Sequence, residues 1–397
     1  MKGKKRLIII IAVAAALAVL VVVYMMTNRI KSTPSEPDYS SIGGQYQLDD
    51  SQNYWQGIGL HDFTAAEDGY YYLTSDIEYL RYFDYQTKKS VLVCAKPECD
   101  HKMSVTCNAY MGLGLYVPDN IYYYNNSLYY MKYAGGTSIL SRMDTDGSNR
   151  KEIGEIMPSG QDSSTHLVFH GDYAYAYYQY VHYGLNEEYT EVIKRISLKD
   201  GSTKDVFEVK GTNISVADVR SYGDKLYFLV QEQAKKGSTT SKTRGVYTYD
   251  YTTEEIKLVS DEDISDYCFI TDKDIFAYYV TGSGLYFSDI KAQTTQFMIK
   301  ADKTYDMCSL SYDGKYIYMN NLYYQVDSYD RDDRDKRCMV LNSSGEMVNE
   351  ISCEDVRQLY FGDSRCMFAW VDSTGNYAYI DKNNIETVNT WTLIDED

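Results

Sequence analysis

The sequence contains little proline, tryptophan or histidine, with 5 Pro, 3 Trp and 5 His among 397 residues. It also lacks the short motifs of common catalytic sites. No G-x-S-x-G, H-E-x-x-H, Walker-type phosphate loop or glycine-rich dinucleotide fingerprint occurs. A Cys-x-x-Cys-His haem attachment site is absent as well. These absences exclude the enzyme classes that such motifs identify.

Acidic residues are missing from the N-terminus, where none precedes Glu36. There, residues 7–26 form an apolar run without a charged side chain, long enough to span a hydrocarbon core of roughly 30 Å. Four basic residues precede the run and two follow it, which favours a cytoplasmic N-terminus. No cysteine lies near the end of the run, so a lipoprotein modification is excluded. A cleaved signal peptide, the competing interpretation, normally has a shorter apolar region of about 7–15 residues.

The sequence therefore predicts a cytoplasmic basic segment (1–6), one transmembrane signal anchor (7–26), a polar linker (27–45) and an extracytoplasmic domain (46–397). These segments together predict a single-pass protein of the cell membrane. Removing the six basic residues that flank the apolar run from the 39 Lys and Arg leaves 33, against all 57 Asp and Glu. So acidic a domain repels nucleic acid and anionic lipid. We expect no nucleic-acid partner.

Tyrosine is abundant, with 44 residues, and its combination with few prolines favours β-strands. Tyrosine-rich strands follow a short polar turn in seven places. The turns are Asp68–Gly69, Asp119–Asn120, Gly171–Asp172, Gly223–Asp224, Asp272–Lys273, Asp313–Gly314 and Gly362–Asp363. A second short apolar strand and a third strand follow each one, and a fourth strand precedes it.

Four antiparallel strands repeated about every 40 to 50 residues are typical of a β-propeller. One four-stranded blade cannot bury both of its faces, and stacking blades around an axis solves this problem. The predicted fold is all-β, a propeller of seven blades. Six or eight blades, or a stacked solenoid, are the alternatives. How the ring closes is open, since residues 46–55 could add an outer strand to the last blade.

One strand and turn carry a family resemblance. Residues 139–143 followed by Asp144-Thr145-Asp146-Gly147-Ser148-Asn149 resemble the strand-turn signature of lipoprotein-receptor-like and TolB-like propellers. The chain is most similar to extracytoplasmic propellers of unknown function from Firmicutes, over about residues 54–394. No YWTD tetrapeptide occurs. The resemblance implies an extracytoplasmic binding or scaffold role and carries over no catalytic residue.

The most distinctive local feature is a cluster of Cys94, Cys99, His101 and Cys107 within 14 residues. Thiolates and imidazole are the ligands that Zn²⁺ prefers, and four of them complete a tetrahedron. A similar run of Cys, Pro, Cys and His occurs in the clostridial propellers that the chain resembles. The cluster predicts a zinc site. The alternative is a disulfide, Cys94–Cys99 or Cys99–Cys107, which an extracytoplasmic location favours.

Three long insertions, residues 180–191, 231–245 and 320–337, are predicted between the second and third strands of their blades. In a propeller these loops open on the same face as the connections between blades, one of which contains the Cys/His cluster. Because long loops usually carry function, we expect one elaborated face bearing this cluster.

Other candidates have plainer interpretations. The acidic run of residues 327–335 is typical of a solvated loop rather than a calcium site. Asp144, Asp146 and Ser148 resemble a calcium loop only superficially, since Asn149 stands where that loop needs glycine. The strand tyrosines are expected to pack blades rather than stack on sugars.

The sequence thus predicts a membrane-anchored extracytoplasmic propeller that binds a protein or a glycan at the cell envelope. An extracytoplasmic hydrolase or lyase acting on polysaccharide or peptide is the alternative. Such an enzyme would need a pair of carboxylates near the axis, and the sequence does not single out a pair.

Overall fold

The computed structural model describes residues 34–47, 50, 63–74, 78–112, 120–134, 136–158, 165–178, 188–233, 241–301, 308–320 and 337–395. Within these residues, seven four-stranded antiparallel sheets follow one another along the chain. Each sheet takes its four strands from one continuous stretch, in sequential order. The predicted all-β propeller with seven four-stranded blades is confirmed.

Blade 1 comprises β1 (Phe63–Ala65), β2 (Gly69–Leu73), β3 (Leu80–Asp84) and β4 (Ser90–Leu92). Blade 2 comprises β5 (Ile121–Tyr124), β6 (Ser127–Ala134), β7 (Thr137–Met143) and β8 (Lys151–Pro158). Blade 3 comprises β9 (Thr165–His170), β10 (Tyr173–Tyr178), β11 (Glu188–Ser197) and β12 (Thr203–Thr212). Blade 4 comprises β13 (Ser215–Tyr222), β14 (Lys225–Gln233), β15 (Ser241–Asp250) and β16 (Ile256–Ser260).

Blade 5 comprises β17 (Ile264–Ile270), β18 (Ile275–Val280), β19 (Gly284–Asp289) and β20 (Thr294–Lys300). Blade 6 comprises β21 (Ser309–Tyr312), β22 (Tyr316–Asn320), β23 (Arg337–Asn342) and β24 (Met347–Ser352). Blade 7 comprises β25 (Val356–Tyr360), β26 (Cys366–Val371), β27 (Asn376–Asp381) and β28 (Thr392–Leu393), with a 3₁₀ turn at Lys382–Asn384.

Burial falls from the inner to the outer strand of a blade. All seven residues of β17 are buried, whereas no residue of β20 is fully buried. Seven apolar clusters join neighbouring blades, one at each interface around the ring. The core is therefore a ring of interfaces between blades, and tyrosine and phenylalanine rings fill much of it.

In the second repeat unit, the sequence prediction places the turn between the first two strands one strand too early. Asp119–Asn120 precedes the inner strand β5 and does not connect the first two strands. That connection is the two-residue turn Asn125–Asn126, in which both residues have positive φ, 46° and 56°. Asparagine suits this hairpin turn because it tolerates the left-handed region. The Asn-Asn pair between Tyr124 and Ser127 gives a weaker turn signal than the Asp-Asn pair before it.

Within the described residues, side chains and not a shared strand join blade 7 to blade 1. The outer strand of blade 7 is β28, so Tyr46, Gln47 and Asp50 do not supply it, and residues 48, 49 and 51–55 lie outside the described residues. Phe63 of blade 1 stacks on Phe368 of blade 7, with ring centroids 4.4 Å apart. Arg365 of blade 7 donates to the carbonyl oxygens of Ala66 and Glu67, each at 2.7 Å.

Residues 36–47 and Asp50, called the strap below, pack against blades 4 and 5. The Asp38 N–H donates to Val259 O at 2.8 Å, and the Gly43 N–H donates to the Tyr227 hydroxyl at 3.0 Å. Ile42 is 5% exposed within the cluster between these blades. The compact unit begins at Glu36, before the domain boundary predicted at residue 46. Ile42 helps to anchor this segment, whose largely polar composition gave no sign of such packing in the sequence.

Three ionisable side chains from two inner strands form a buried cluster in blades 4 and 5. Arg220 donates to Asp266 Oδ1 at 2.6 Å, and both side chains are almost fully buried. The Asp266 carboxylate also accepts from the N–H groups of Tyr267 and Leu310, each at 2.7 Å. Burial and the Asp266 charge raise the pKa of Asp218 to about 8, and Arg220 only partly offsets this. Burial and the neighbouring Asp266 charge therefore favour the protonated form of the Asp218 carboxyl.

The predicted membrane span, residues 7–26, lies outside the described residues. Among the residues that are described, no helix is long and apolar enough to cross a membrane.

Replacing Arg365 by methionine should lower the free energy of unfolding by about 3 kcal/mol. The change removes hydrogen bonds from a charged donor and leaves Asp363 without its ion pair. Urea unfolding of the full chain measures the effect. Arg142→Met is the control, because this exposed side chain has only a 3.9 Å contact with Asp144 and should contribute less than about 0.5 kcal/mol. Equal losses in the two variants would contradict closure through Arg365.

Replacing Asp218 by asparagine should flatten the dependence of stability on pH. The folded pKa of about 8 lies above the unfolded value, so the folded state holds the proton more tightly. This contribution is complete below about pH 4 and is lost as the pH rises to about 8. Asparagine also tolerates the positive φ of 47° at this position. Thermal unfolding between pH 5 and 9 tests this: a variant with the slope of the unmodified chain would refute it, and Asp205→Asn is the exposed control.

Candidate metal centre

The predicted Cys/His segment forms a loop at the outer edge of blade 1. The chain leaves β4 at Val93, whose N–H donates to Leu80 O at 3.0 Å. It returns at Ala109, whose carbonyl accepts from the Leu80 N–H at 2.8 Å, and Tyr110 then forms a β-bridge with Tyr79. Residues 94–108, called the Cys loop below, are therefore held closed at their base by β3.

The four predicted ligands lie together in this loop. One ligand atom each from Cys94, Cys99, His101 and Cys107 lies within 4.8 Å of the other three. The Cys107 Sγ to His101 Nδ1 distance is 3.7 Å. In a tetrahedral zinc site with Zn–S bonds of about 2.3 Å, ligand atoms are about 3.8 Å apart. The cluster can therefore bind a metal such as zinc, and the protein supplies all four ligands.

Cys94 and Cys107 have opposite electrostatic environments. Burial raises the pKa of Cys94, but hydrogen bonds from the N–H groups of Lys96 and Asn108 and from the other two thiols lower it below its usual value. Cys107 is 2% exposed. Burial raises its pKa to about 11, although two backbone N–H groups donate to its sulfur. Such N–H donors stabilise a metal-bound thiolate and orient it.

His101 has a left-handed backbone with φ of 51°, a conformation that costs energy in a residue other than glycine. Its carbonyl accepts a hydrogen bond from the Tyr79 hydroxyl at 3.0 Å. This bond ties His101 to blade 1 and helps to hold the imidazole on the cysteine side of the loop. Strained backbone at a residue that faces a cluster of ligands is common at functional sites.

A cation from blade 2 binds residues 108–110, called the returning arm of the Cys loop below. Arg150, just after the turn between β7 and β8, donates through Nη1 to Tyr110 O at 2.8 Å and through Nη2 to Asn108 O. Asn108 Nδ2 in turn donates to Asp146 O at 3.2 Å. Arg150 also interacts electrostatically with Cys107. Three thiolates around Zn²⁺ carry a net negative charge, which this guanidinium can offset.

The position of the Cys loop differs from the expected single elaborated face. The loop does connect the fourth strand of one blade to the first strand of the next, as predicted. However, it packs against the turn between β7 and β8, and in an antiparallel blade that turn lies at the opposite end from the connection between the second and third strands. The loop therefore lies at the rim between blades 1 and 2. Connections 179–187, 234–240 and 321–336 join second and third strands, as predicted, but lie outside the described residues.

No disulfide joins the cysteines of the loop, since all eight cysteines of the chain are free thiols. A Cys94–Cys99 or Cys99–Cys107 disulfide stays the alternative prediction to a metal site. The five cysteines outside the loop are buried in the apolar core. They are Cys268, Cys308, Cys338, Cys353 and Cys366.

The remaining candidates keep their plainer interpretations where the structure describes them. Asp144 accepts from Asn149 Nδ2, and Asp146 accepts from the Ser148 N–H, so these carboxylates stabilise a turn. The strand tyrosines Tyr122, Tyr124, Tyr129, Tyr130 and Tyr177 are buried. The acidic run 327–335 lies outside the described residues.

Sequence reasoning missed Arg150 and Tyr79, which support the cluster from outside it. Their contacts are with backbone carbonyls, and a backbone acceptor leaves no signature in a sequence. Only the folded contact between neighbouring blades shows their role.

No protein-family model matches the sequence, and no curated protein matches it either. Among solved structures, the chain is similar to the tricorn protease at 9% identity and a TM-score of 0.49, covering 92% of this chain but only 36% of that one. A chain of the mitotic checkpoint complex matches at 11% identity and a TM-score of 0.49, over 88% of this chain and 94% of that one. An oligogalacturonate lyase in complex with manganese matches at 11% identity and a TM-score of 0.44, over 81% and 86%. These similarities carry no argument about function.

The full-length protein should bind one zinc ion per chain, and His101→Ala or Cys107→Ser should abolish this. Metal analysis of the purified protein measures the stoichiometry, and thiolate charge-transfer bands after cobalt substitution report the ligand type. Cys353→Ser is the control, since Cys353 is equally buried but lies between blades 6 and 7. A metal-free protein with two blocked thiols in the Cys loop would instead establish the disulfide.

Proposed function

We propose that the chain is a membrane-anchored extracytoplasmic β-propeller that binds a protein or glycan at the cell envelope, with a structural zinc ion in its Cys loop. The observation that carries the proposal is the Cys₃His cluster. Four protein ligands fill a tetrahedron and leave no open position for a substrate, which is typical of a structural rather than a catalytic zinc.

In this proposal, zinc would stabilise one conformation of the Cys loop. The Cys loop has no strand of its own, and hydrogen bonds hold it mainly at the base and along the returning arm. Four metal bonds would order the tip of the loop, which carries the exposed apolar side chains of Met103 (65%) and Val105 (77%). Exposed apolar side chains on an ordered loop are a suitable contact for a partner. The metal would also protect three thiols from oxidation outside the cytoplasm.

The membrane location rests on the sequence. The apolar run 7–26 with its basic flanks supports a signal anchor with the propeller outside the cytoplasm. Glu36, where the compact unit begins, follows the run by ten residues. The resemblance to extracytoplasmic propellers of Firmicutes and to TolB-like propellers supports the same location. The acidic surface favours a neutral or basic partner.

Two measurements test the proposal together. Protease added to intact cells should degrade the propeller, whereas the same chain lacking residues 7–26 should not remain in the membrane fraction. Full-length zinc-loaded protein in detergent should be retained by immobilised envelope polysaccharide or envelope protein. Retention should occur without new reducing ends or new amino termini.

His101→Ala should weaken that retention at least fivefold, and Cys353→Ser should not change it. A propeller protected from protease on intact cells would overturn the location. Release of new chain ends by the purified protein would overturn the binding role in favour of the hydrolase or lyase.

A further inference from the structure

Two outer strands of neighbouring blades, β16 and β20, contain no acidic residue. The sequence of β16 is Ile-Lys-Leu-Val-Ser and that of β20 is Thr-Thr-Gln-Phe-Met-Ile-Lys. The other described outer strands of five or more residues, β8, β12 and β24, each contain aspartate or glutamate. In a chain with 57 Asp and Glu, this pair of strands is a distinct part of the surface. It is called the acid-free edge below.

The acid-free edge exposes three large apolar side chains. Ile256 is 41% exposed, Leu258 is 42% exposed and Phe297 is 48% exposed. The Phe297 ring is held in position because it packs on Tyr286, with ring centroids 5.2 Å apart. Apolar side chains that are grouped on an exposed part of a folded domain indicate a contact surface.

Two lysines lie between and beside these apolar side chains. Lys257 and Lys300 are exposed. Lys257 pairs at 3.1 Å with Glu255, the acidic residue directly before β16. Basic side chains next to exposed apolar ones are typical of surfaces that lie at a membrane interface. There the aliphatic stem of lysine enters the apolar region while its ammonium group stays in water.

The strap joins the propeller at the same edge. The Asp38 N–H donates to Val259 O of β16 at 2.8 Å. The Tyr39 hydroxyl lies 2.6 Å from Oγ1 of Thr295 in β20. The Asp38 carboxylate accepts from the N–H and the hydroxyl of Ser40, so hydrogen bonds within the strap satisfy it. The chain therefore enters the propeller beside the two strands that lack acidic residues.

The tether in the proposed function is short. The apolar run ends at residue 26, and the compact unit begins at Glu36. Ten residues reach at most about 35 Å when the chain is fully extended. A tether of this length raises the effective concentration of lipid at the strands where the strap enters, which favours a contact that would be weak for an untethered protein.

We propose that the acid-free edge binds the lipid surface of the membrane. Ile256, Leu258 and Phe297 enter the interfacial region, and the two lysines lie at the level of the headgroups. Because the domain as a whole is acidic, zwitterionic lipid is the partner that fits, and anionic lipid repels it. The inference rests on the proposed function, and it names the surface of the propeller that faces the membrane.

Fluorescence quenching by lipids that are brominated in their acyl chains tests the inference. Full-length Phe297→Trp protein in nanodiscs of brominated phosphatidylcholine should lose about half of the emission that the new tryptophan adds, because an interfacial side chain reaches the start of the acyl chains. Val91→Trp is the matched control. Val91 is 54% exposed on β4, the outer strand of blade 1, and its replacement should keep its emission.

A second variant tests the apolar contact itself. Leu258→Glu in the Phe297→Trp protein should remove most of the quenching, because a carboxylate is unfavourable in the interfacial region. Val91→Glu in the same protein should leave the quenching unchanged. Urea unfolding of both variants should match that of the Phe297→Trp protein, since both positions are exposed.

Equal quenching of the Phe297→Trp and Val91→Trp proteins, or quenching of neither, would overturn the inference. Emission that changes with the number of copies per disc but not with bromination would also overturn it, and would assign the edge to a second copy of the chain. If the protein in these discs is still retained by envelope polysaccharide or envelope protein, only the membrane-facing surface is refuted. A chain that does not enter the discs through residues 7–26 would refute the proposed anchor, and this inference with it.

Discussion

The structure depends on one constraint, the burial of both faces of a four-stranded sheet. A blade has an apolar face on each side and too few residues to cover either. Each face therefore packs against a neighbouring blade, and seven apolar clusters result. Tyrosine suits these interfaces because its ring fills the space between blades and its hydroxyl reaches a polar partner at the edge. The Tyr70 hydroxyl, for example, donates to Asp363 of blade 7 at 2.6 Å.

Because of the same constraint, side-chain packing between blades 7 and 1 closes the ring. In the part of the chain that the structure describes, the first and last blades exchange no strand, so their interface resembles the other six and must be as well packed. Phe63 and Phe368 supply apolar contact there, and Arg365 adds hydrogen bonds to backbone carbonyls of blade 1. The strap adds a further contact on blades 4 and 5, which joins the start of the described chain to the ring.

The Cys loop departs from this regular packing. It lies at the rim between blades 1 and 2, and four of its side chains converge on a point suited to a metal ion. Hydrogen bonds to Leu80 hold the loop at its base, and four metal bonds would order the rest of it.

The sequence by itself determined the class of fold, the seven repeats and the four residues of the Cys₃His cluster. It could do so because alternating tyrosine strands, polar turns and closely spaced ligands are local patterns. Only the tertiary structure decided the register of the second blade, where Asn125 and Asn126 form the turn, and the position of the strap. It also decided that Arg150 of blade 2 supports the Cys loop and that Arg220 pairs with Asp266 of the neighbouring blade. These outcomes depend on contacts between residues distant in sequence, many of them with backbone atoms, which leave no trace in local composition.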